Sequence, residues 1–314
     1  MNILYDCDPG QDDAMALLTA LGNPDKVKIL CVSTVGGNQD INLVTQNAGH
    51  LLAFCEQQIP LVKGQAGPLL NQLHVQPEAH GKTGMDGSGN LDKYNYPVRK
   101  DNTILFMADI LKKQPEKVTI VATGPLTNIA LLIKTFPETL AKIDKIVVMG
   151  GGIDHGNVTK LAEFNIWTDP EAAQIVFDSP LEVVMAGLDV TEKTTITKKQ
   201  IASLQAGGSV SKLAGNLLHF YQKSGEQFGF IDSPVHDLVA MEYAIWPELF
   251  ETVPANIKIS TDHGDTYGQT YIAREANDHK GTENVLIKRM KVDLFFARLQ
   301  KSLLFLDQKL DSQN

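Results

Sequence analysis

Four carboxylates fall within eight residues near the start of the chain. Asn2-Ile3-Leu4-Tyr5 runs into Asp6-Cys7-Asp8-Pro9-Gly10-Gln11-Asp12-Asp13, and Ala14-Met15-Ala16-Leu17-Leu18 follows. The first apolar run has the length of a buried strand, and the second is long enough to open a helix. Residues two apart on a strand share a face, so Asp6 and Asp8 are expected to point the same way before Pro9-Gly10 turns the chain. Asp12 and Asp13 then fall in the first helical turn, where the macrodipole and free N–H groups favour negative charge. A helix cap and a solvated turn account for one or two such residues. Four beside a buried strand raise one another's pKa unless a cation or hydrogen-bond donors intervene. No Lys or Arg precedes Lys26, so a bound metal is the simplest local counter-charge. All-oxygen ligands suit Ca²⁺ or Mg²⁺ and not Zn²⁺. An EF-hand does not fit, because Gly10 takes the fifth loop position and Leu17 stands where the terminal Glu is needed.

The rest of the composition narrows the class of protein. With 314 residues, 43% of them hydrophobic, the chain has material for a sizeable core. A formal net charge of -9 argues against nucleic acid or an anionic membrane as partner, since both reward a basic face. A small neutral or cationic ligand fits better. Cys7, Cys31 and Cys55 form no CxxC pair, so they read as buried reduced thiols. No basic segment followed by a long apolar run opens the chain, and no apolar run reaches about 18 residues. A soluble, cytoplasmic protein is expected.

Strand-like and helix-like segments alternate. Val27–Thr34 is β-rich and ends in Val35-Gly36-Gly37-Asn38, and Ile41–Glu56 has helical apolar spacing. Ile59–Lys63 reads as a short strand. Periodicity then fails from Gly64 to Arg99, a stretch read as an ordered functional flap that includes His80. Thr103–Lys113 looks helical, and Val118–Ala122 is a strand leading into Thr123-Gly124-Pro125-Leu126-Thr127-Asn128. Ile146–Met149 and Glu182–Met185 read as strands, with a helix opened by Asp169-Pro170-Glu171 between them. Lys198–Tyr243 is mostly helical; Ile257–Ser260, Gln269–Ala273 and Val285–Lys288 are β-like, and a helix closes the chain from Val292 to about Lys309. The alternation predicts a single-domain α/β fold over residues 1–314, with a mainly parallel open sheet flanked by helices. Ligands of such sheets bind where the strands end.

Polar groups collect at those ends. Asn38 alone is explained as a turn residue. The glycine-rich turns match neither GxGxxG with a downstream acid nor GxxxxGK[ST]. Asn157, Glu163 and Asn165 form a less ordinary group, offering the mixed donors and acceptors that a hydroxyl-rich sugar needs. His236-Asp237 opens an apolar helix. Taken singly, Asp237 suits a helix start and His236 a hydrogen-bonded structural role. Trp167, Tyr221, Phe228 and Phe230 are candidates for stacking on an aromatic ligand, although aromatics near helices are more often core.

Together these motifs resemble the inosine-uridine preferring nucleoside hydrolases. Asp6-Cys7-Asp8-Pro9-Gly10-Gln11-Asp12-Asp13-Ala14 looks like that family's signature. Val35-Gly36-Gly37-Asn38, Ala122-Thr123-Gly124-Pro125-Leu126-Thr127-Asn128, Met149-Gly150-Gly151, Ala162-Glu163-Phe164-Asn165 and Val235-His236-Asp237 follow in the family's order, with Gly264, Thr270, Asn284 and Asp293 similar in the tail. The resemblance implies a nucleoside hydrolase fold with a Rossmann-like core. It also implies a Ca²⁺ held by Asp8, Asp13, Asp237 and the Thr123 carbonyl, with Asp8 as general base on a metal-bound water attacking C1′ of a ribonucleoside. Asp12, Asn38, Asn157, Glu163 and Asn165 are expected to hold the sugar, His80 to lie near the base, and Asp6 to support the cluster. His236 takes the position of a proton donor to the departing base, a role suited to a His titrating near neutrality. A homotetramer or homodimer is the family's common state. Two other readings remain: a Mg²⁺-dependent haloacid-dehalogenase-like phosphohydrolase, to which Asp6-x-Asp8 is similar though Pro9-Gly10-Gln11 fits it poorly, and a nucleoside-binding protein without chemistry.

Overall fold

The computed structural model describes residues 1–273 and 284–312. The strand that carries the acidic motif, β1 (Asn2–Cys7), lies inside a nine-stranded sheet. On one side follow β2 (Lys28–Thr34), β3 (Leu61–Lys63) and β4 (Val98–Arg99); on the other β5 (Val118–Ala122), β6 (Ile143–Met149) and β7 (Val183–Ala186). Beyond β7 the sheet continues with Asn284–Met290, parallel to β7, and ends in Phe250–Ala255, antiparallel to its neighbour. The other described pairings in this sheet are parallel. Chain order runs outward in opposite directions from β1 and β5, which makes their boundary the switch point at which doubly wound sheets bind ligands.

Alternation along β1 places its side chains. Ile3, Tyr5 and Cys7 enter one core, Leu4 the other. The first core packs the sheet against α1 (Gln11–Leu21), α2 (Ile41–Phe54), α10 (Ser209–Gly225), α11 (His236–Ile245) and α12 (Val292–Asp311), and also takes in Ile201 and Leu204 of α9 (Lys198–Gln205). The second packs it against α4 (Thr103–Lys113), α5 (Thr127–Thr135) and α7 (Pro170–Phe177). Every residue of α1 is buried, so its Asp12 and Asp13 are not the exposed face of an amphipathic helix. Asp13 caps the helix by accepting from the Gly10 N–H at 3.0 Å.

The flap is ordered. Within 64–99 lie α3 (Pro77–His80), a single turn at Leu91–Lys93 and β4, with His80, Met85 and Leu91 buried. Among the elements that escaped the sequence reading, two show why. Phe250–Ala255 has an exposed middle, as befits an edge strand, and so lacks a buried apolar run. The four-residue α8 (Leu188–Thr191) is too short to show a period. Ile257–Ile259 and Thr270–Ile272 pair with each other outside the main sheet.

Candidate active site

A cavity of about 630 Å³ opens beyond the carboxyl ends of the central strands, a size suited to a small organic ligand. Asp12, Asn38, His80, Thr123, Asn157, Glu163, Asn165, His236 and Asp237 line it, while Asp6, Asp8 and Asp13 stand behind its wall. Among the described residues, no Lys or Arg lines it.

Asp12, Asp13 and Asp237 bring carboxylate oxygens within 4.8 Å of one another. Two come from the first turn of α1 and the third from the first turn of α11, which packs beside it. Asp13 accepts from the Thr123 hydroxyl at 2.7 Å and from the Asn38 side-chain amide at 3.2 Å. Asp8 joins the group from the end of β1: its backbone N–H donates to Asp13 at 3.3 Å, and its Oδ2 accepts from the Asn38 N–H at 2.7 Å. The chain closes so tightly over Asp8 that a Cβ on Gly37 would lie 2.0 Å from its Oδ2, and one on Gly124 2.7 Å from its Oδ1. Burial, reinforced by Asp13, holds the Asp8 carboxyl well above the usual carboxylate range. Burial, then Asp12 and Asp13, does the same to Asp237. Asp13 is raised by burial, and Asp12 is pushed up to about 6 by burial against the opposing pull of His80.

The cluster fits a hard cation on its own geometry. Asp8 Oδ1 and Asp12 Oδ1 are buried oxygens without a hydrogen-bond partner, in a nest of acids with no Lys or Arg among the described residues of the cavity wall. Asp8, Asp12, Asp13, Asp237 and the Thr123 carbonyl are the oxygens available to it. Asp6 lies close enough to act on Asp8, and its Oδ2 is also a buried oxygen without a hydrogen-bond partner. Its Oδ1 accepts from the Ser33 hydroxyl and, at 2.8 Å, from the Asn128 amide, while burial lifts its carboxyl to about 7. Asn128 in turn donates to the Thr34 carbonyl and accepts from the Gln65 N–H, so Asp6 ties together the strand ends beneath the site.

The carboxamide group does not lie free. Asn165 Nδ2 donates to the Thr123 carbonyl at 2.8 Å and the Met149 carbonyl at 3.2 Å. Glu163 caps α6 (Phe164–Thr168), accepting from the N–H groups of Asn165 and Ile166 and also from Gly151 at 2.9 Å. Burial pushes its carboxyl up to about 7 against those bonds. Asn157 Oδ1 accepts from the Phe164 N–H at 2.9 Å. Each therefore shapes the wall as well as facing the cavity.

His236 Nδ1 lies 2.7 Å from the Thr191 hydroxyl. Burial, then the neighbouring His80, lowers its pKa to about 4, which corrects the expectation of a His titrating near neutrality: without a ligand the ring is neutral at pH 7. His80 is likewise lowered by burial, with Asp12 opposing. Of the aromatic candidates, Tyr221, Phe228 and Phe230 line the cavity, and Tyr221 donates to Asp12 Oδ2 at 3.2 Å. Trp167 is not among the lining residues; it packs against His74, 5.3 Å between ring centroids, and on Gly268.

Residues 3–297 match the family model of the inosine-uridine preferring nucleoside hydrolases. The chain belongs to this family. Over 306 residues it is 39% identical to the pyrimidine-specific ribonucleoside hydrolase RihA of Salmonella newport, covering 95% of this chain and 98% of the relative. The RihA of Citrobacter koseri is also 39% identical, over 305 residues, with 95% and 97% covered. Among solved structures, a purine-preferring ribonucleoside hydrolase from Gardnerella vaginalis superposes with a TM-score of 0.89 at 28% identity, covering 98% of this chain and all of the other. The plant nucleoside hydrolase PpNRh1 gives 0.88 at 27%, with 96% and 98% covered. This nucleoside hydrolase is thus an N-glycosidase acting on ribonucleosides. Its site also depends on pairings that the sequence did not mark, although Gln11 and Asn128 lie within its motifs. Thr191 meets His236, Gln11 meets His80, and Asn128 meets Asp6, each across a distance in sequence that no local pattern spans.

Proposed function

We propose that this nucleoside hydrolase cleaves the N-glycosidic bond of pyrimidine ribonucleosides, releasing base and ribose, with Ca²⁺ held by Asp8, Asp13, Asp237 and the Thr123 carbonyl. The observation that carries the reading is the nest of buried carboxylates, with unpartnered oxygens on Asp8 and Asp12, at the floor of a cavity lined by carboxamides and two imidazoles. All-oxygen donors favour Ca²⁺ over softer ions, and a cation bound there supplies charge neutralisation and Lewis-acid polarisation of water. Asp8, held by Asn38 and unpartnered at Oδ1, takes the proton of the attacking water, a role worth about 10²–10⁴-fold. Asp12 and Asn38 anchor the ribose hydroxyls, and Asn157, Glu163 and Asn165 hold its exocyclic arm. As in O-glycoside cleavage, positive charge develops on the sugar and negative charge on the leaving group. His236 answers the latter: its neutral ring hydrogen-bonds the base, the negative charge growing beside it draws a proton from solvent onto the ring, and the imidazolium so formed passes one to the base. His80 contacts the same end of the substrate.

The pyrimidine preference is supported by relatives at 38–39% identity that are pyrimidine-specific, while the more distant purine-preferring structure has 28%. Comparing kcat/KM for uridine, cytidine, inosine and adenosine tests it; a purine above both pyrimidines overturns it. Chelation is expected to abolish ribose release and Ca²⁺ to restore it. Full activity in a sample verified free of metal would sink the metal reading, and phosphate release from p-nitrophenyl phosphate would revive the phosphohydrolase one. We also propose that residues 1–314 act as one domain in a cytoplasmic homodimer or homotetramer. Support comes from three buried free thiols, from the absence among described residues of a helix long and apolar enough to cross a membrane, and from exposed Leu304 and Phe305 on α12. A monomer by sedimentation refutes the assembly.

A further inference from the structure

We infer that Gln11 is a positioning residue that fixes the tautomer of His80, so that His80 offers the cavity a hydrogen-bond acceptor for a donor of the bound ribonucleoside. The argument starts from the side-chain amide of Gln11. Its Nε2 donates to the backbone carbonyls of His80 at 3.1 Å and Asp86 at 3.0 Å. Exchanging the amide oxygen and nitrogen would set an oxygen against both carbonyl oxygens, so the orientation is decided by its partners. Oε1 then faces His80 Nδ1 at 2.8 Å and accepts from it. Nδ1 therefore carries the proton, and in the neutral imidazole Nε2 keeps its lone pair.

The surroundings hold the ring in this pose. Gly10 leaves room for it, since a Cβ there would lie 2.4 Å from Nδ1. Tyr221 stacks on the ring, 5.5 Å between centroids and 22° between planes. The short helix bearing His80 is pinned from α10 by Ser224 Oγ donating to the Ala79 carbonyl at 2.7 Å. A second pin, from just beyond α10, is Gln227 Nε2 donating to the Glu78 carbonyl at 2.7 Å. With Nδ1 engaged, Nε2 is the nitrogen left for the cavity that His80 lines. The two imidazoles thus divide their work: neutral His80 accepts from the substrate, and the donor to the departing base is His236. This inference rests on the proposed hydrolysis, and its tests separate the two.

Long-range ¹H–¹⁵N correlation of the imidazoles in the full metal-loaded enzyme, with His80 assigned by its loss in His80→Ala, is expected to show the Nδ1–H form at neutral pH. An Nε2–H form overturns the proposal, whatever the enzyme hydrolyses. Gln11→Leu, checked for cooperative melting, is expected to lower kcat/KM on uridine about tenfold, the order of one hydrogen bond to a ligand. In the His80→Ala background the same change is expected to cost nothing further; losses that multiply overturn the proposal. Wild type inert on every nucleoside refutes the hydrolysis reading and leaves the tautomer result standing.

Discussion

Asp8 sits at zero exposure with one oxygen held by Asn38 and the other unpartnered, the posture of a base kept free for a proton. Asp8→Ala is expected to lower turnover by at least about 10²-fold. Its far-UV circular dichroism should match wild type, because removing a repelled buried acid relieves the fold. Turnover within a few-fold of wild type would refute its role. For His236→Ala the expected loss is about 10²-fold on uridine and small on p-nitrophenyl riboside, whose leaving group needs no proton. Equal losses on both substrates would remove His236 from leaving-group chemistry.

At the scale of elements, α11 does two jobs. Its first turn delivers His236 and Asp237 to the cavity, and its far end buries Glu242 with neither carboxyl oxygen hydrogen-bonded. Burial holds Glu242 well above the usual carboxylate range, opposed by Arg298 on α12, which also lies over the Trp246 ring at 5.0 Å. A raised folded pKa means that the folded state keeps this proton where the unfolded chain has released it. The penalty therefore grows as pH rises above the unfolded value near 4.3. Glu242→Gln is expected to be more stable than wild type at pH 8 by about 1–3 kcal/mol, the range for a buried unsatisfied polar group. The gap should close near pH 4. Thermal melts at the two pH values check this, and a variant less stable at pH 8 shows that the carboxylate is compensated.

For the whole molecule, the acids under the cavity set a stability profile of the same sign. Asp12 is pushed to about 6, and Asp6 and Glu163 to about 7, each by burial, while the unfolded values lie near 4. The metal-free protein should therefore lose stability as pH rises from about 4 to 7. If Ca²⁺ is the ion held there, as proposed, it binds the ionised acids and is expected to reverse that slope, raising the melting temperature most at the upper end. A metal-free melting temperature that climbs across the same window contradicts these protonation states.

The sequence by itself determined the alternating α/β plan, the parallel core of the sheet and the place of the acidic motif at a strand end. Those features are local: apolar period, turn residues and helix starts all lie within a few positions of one another. It also marked part of the cavity lining, with Asp12, Asn38, Thr123, Glu163 and Asn165 in short motifs at strand ends and His236-Asp237 at a helix start. Tertiary structure alone decided that Asp237 meets Asp12 and Asp13, because that contact depends on α11 packing beside α1. It likewise decided the partners that set each functional group: Gln11 on His80, Thr191 on His236, Asn128 on Asp6. The protonation of His236 fell to it as well, since pKa follows burial and neighbours and burial is not local in sequence. The acidic motif was legible as a charge problem from eight residues; the buried geometry in which it can be answered is assembled from the whole chain.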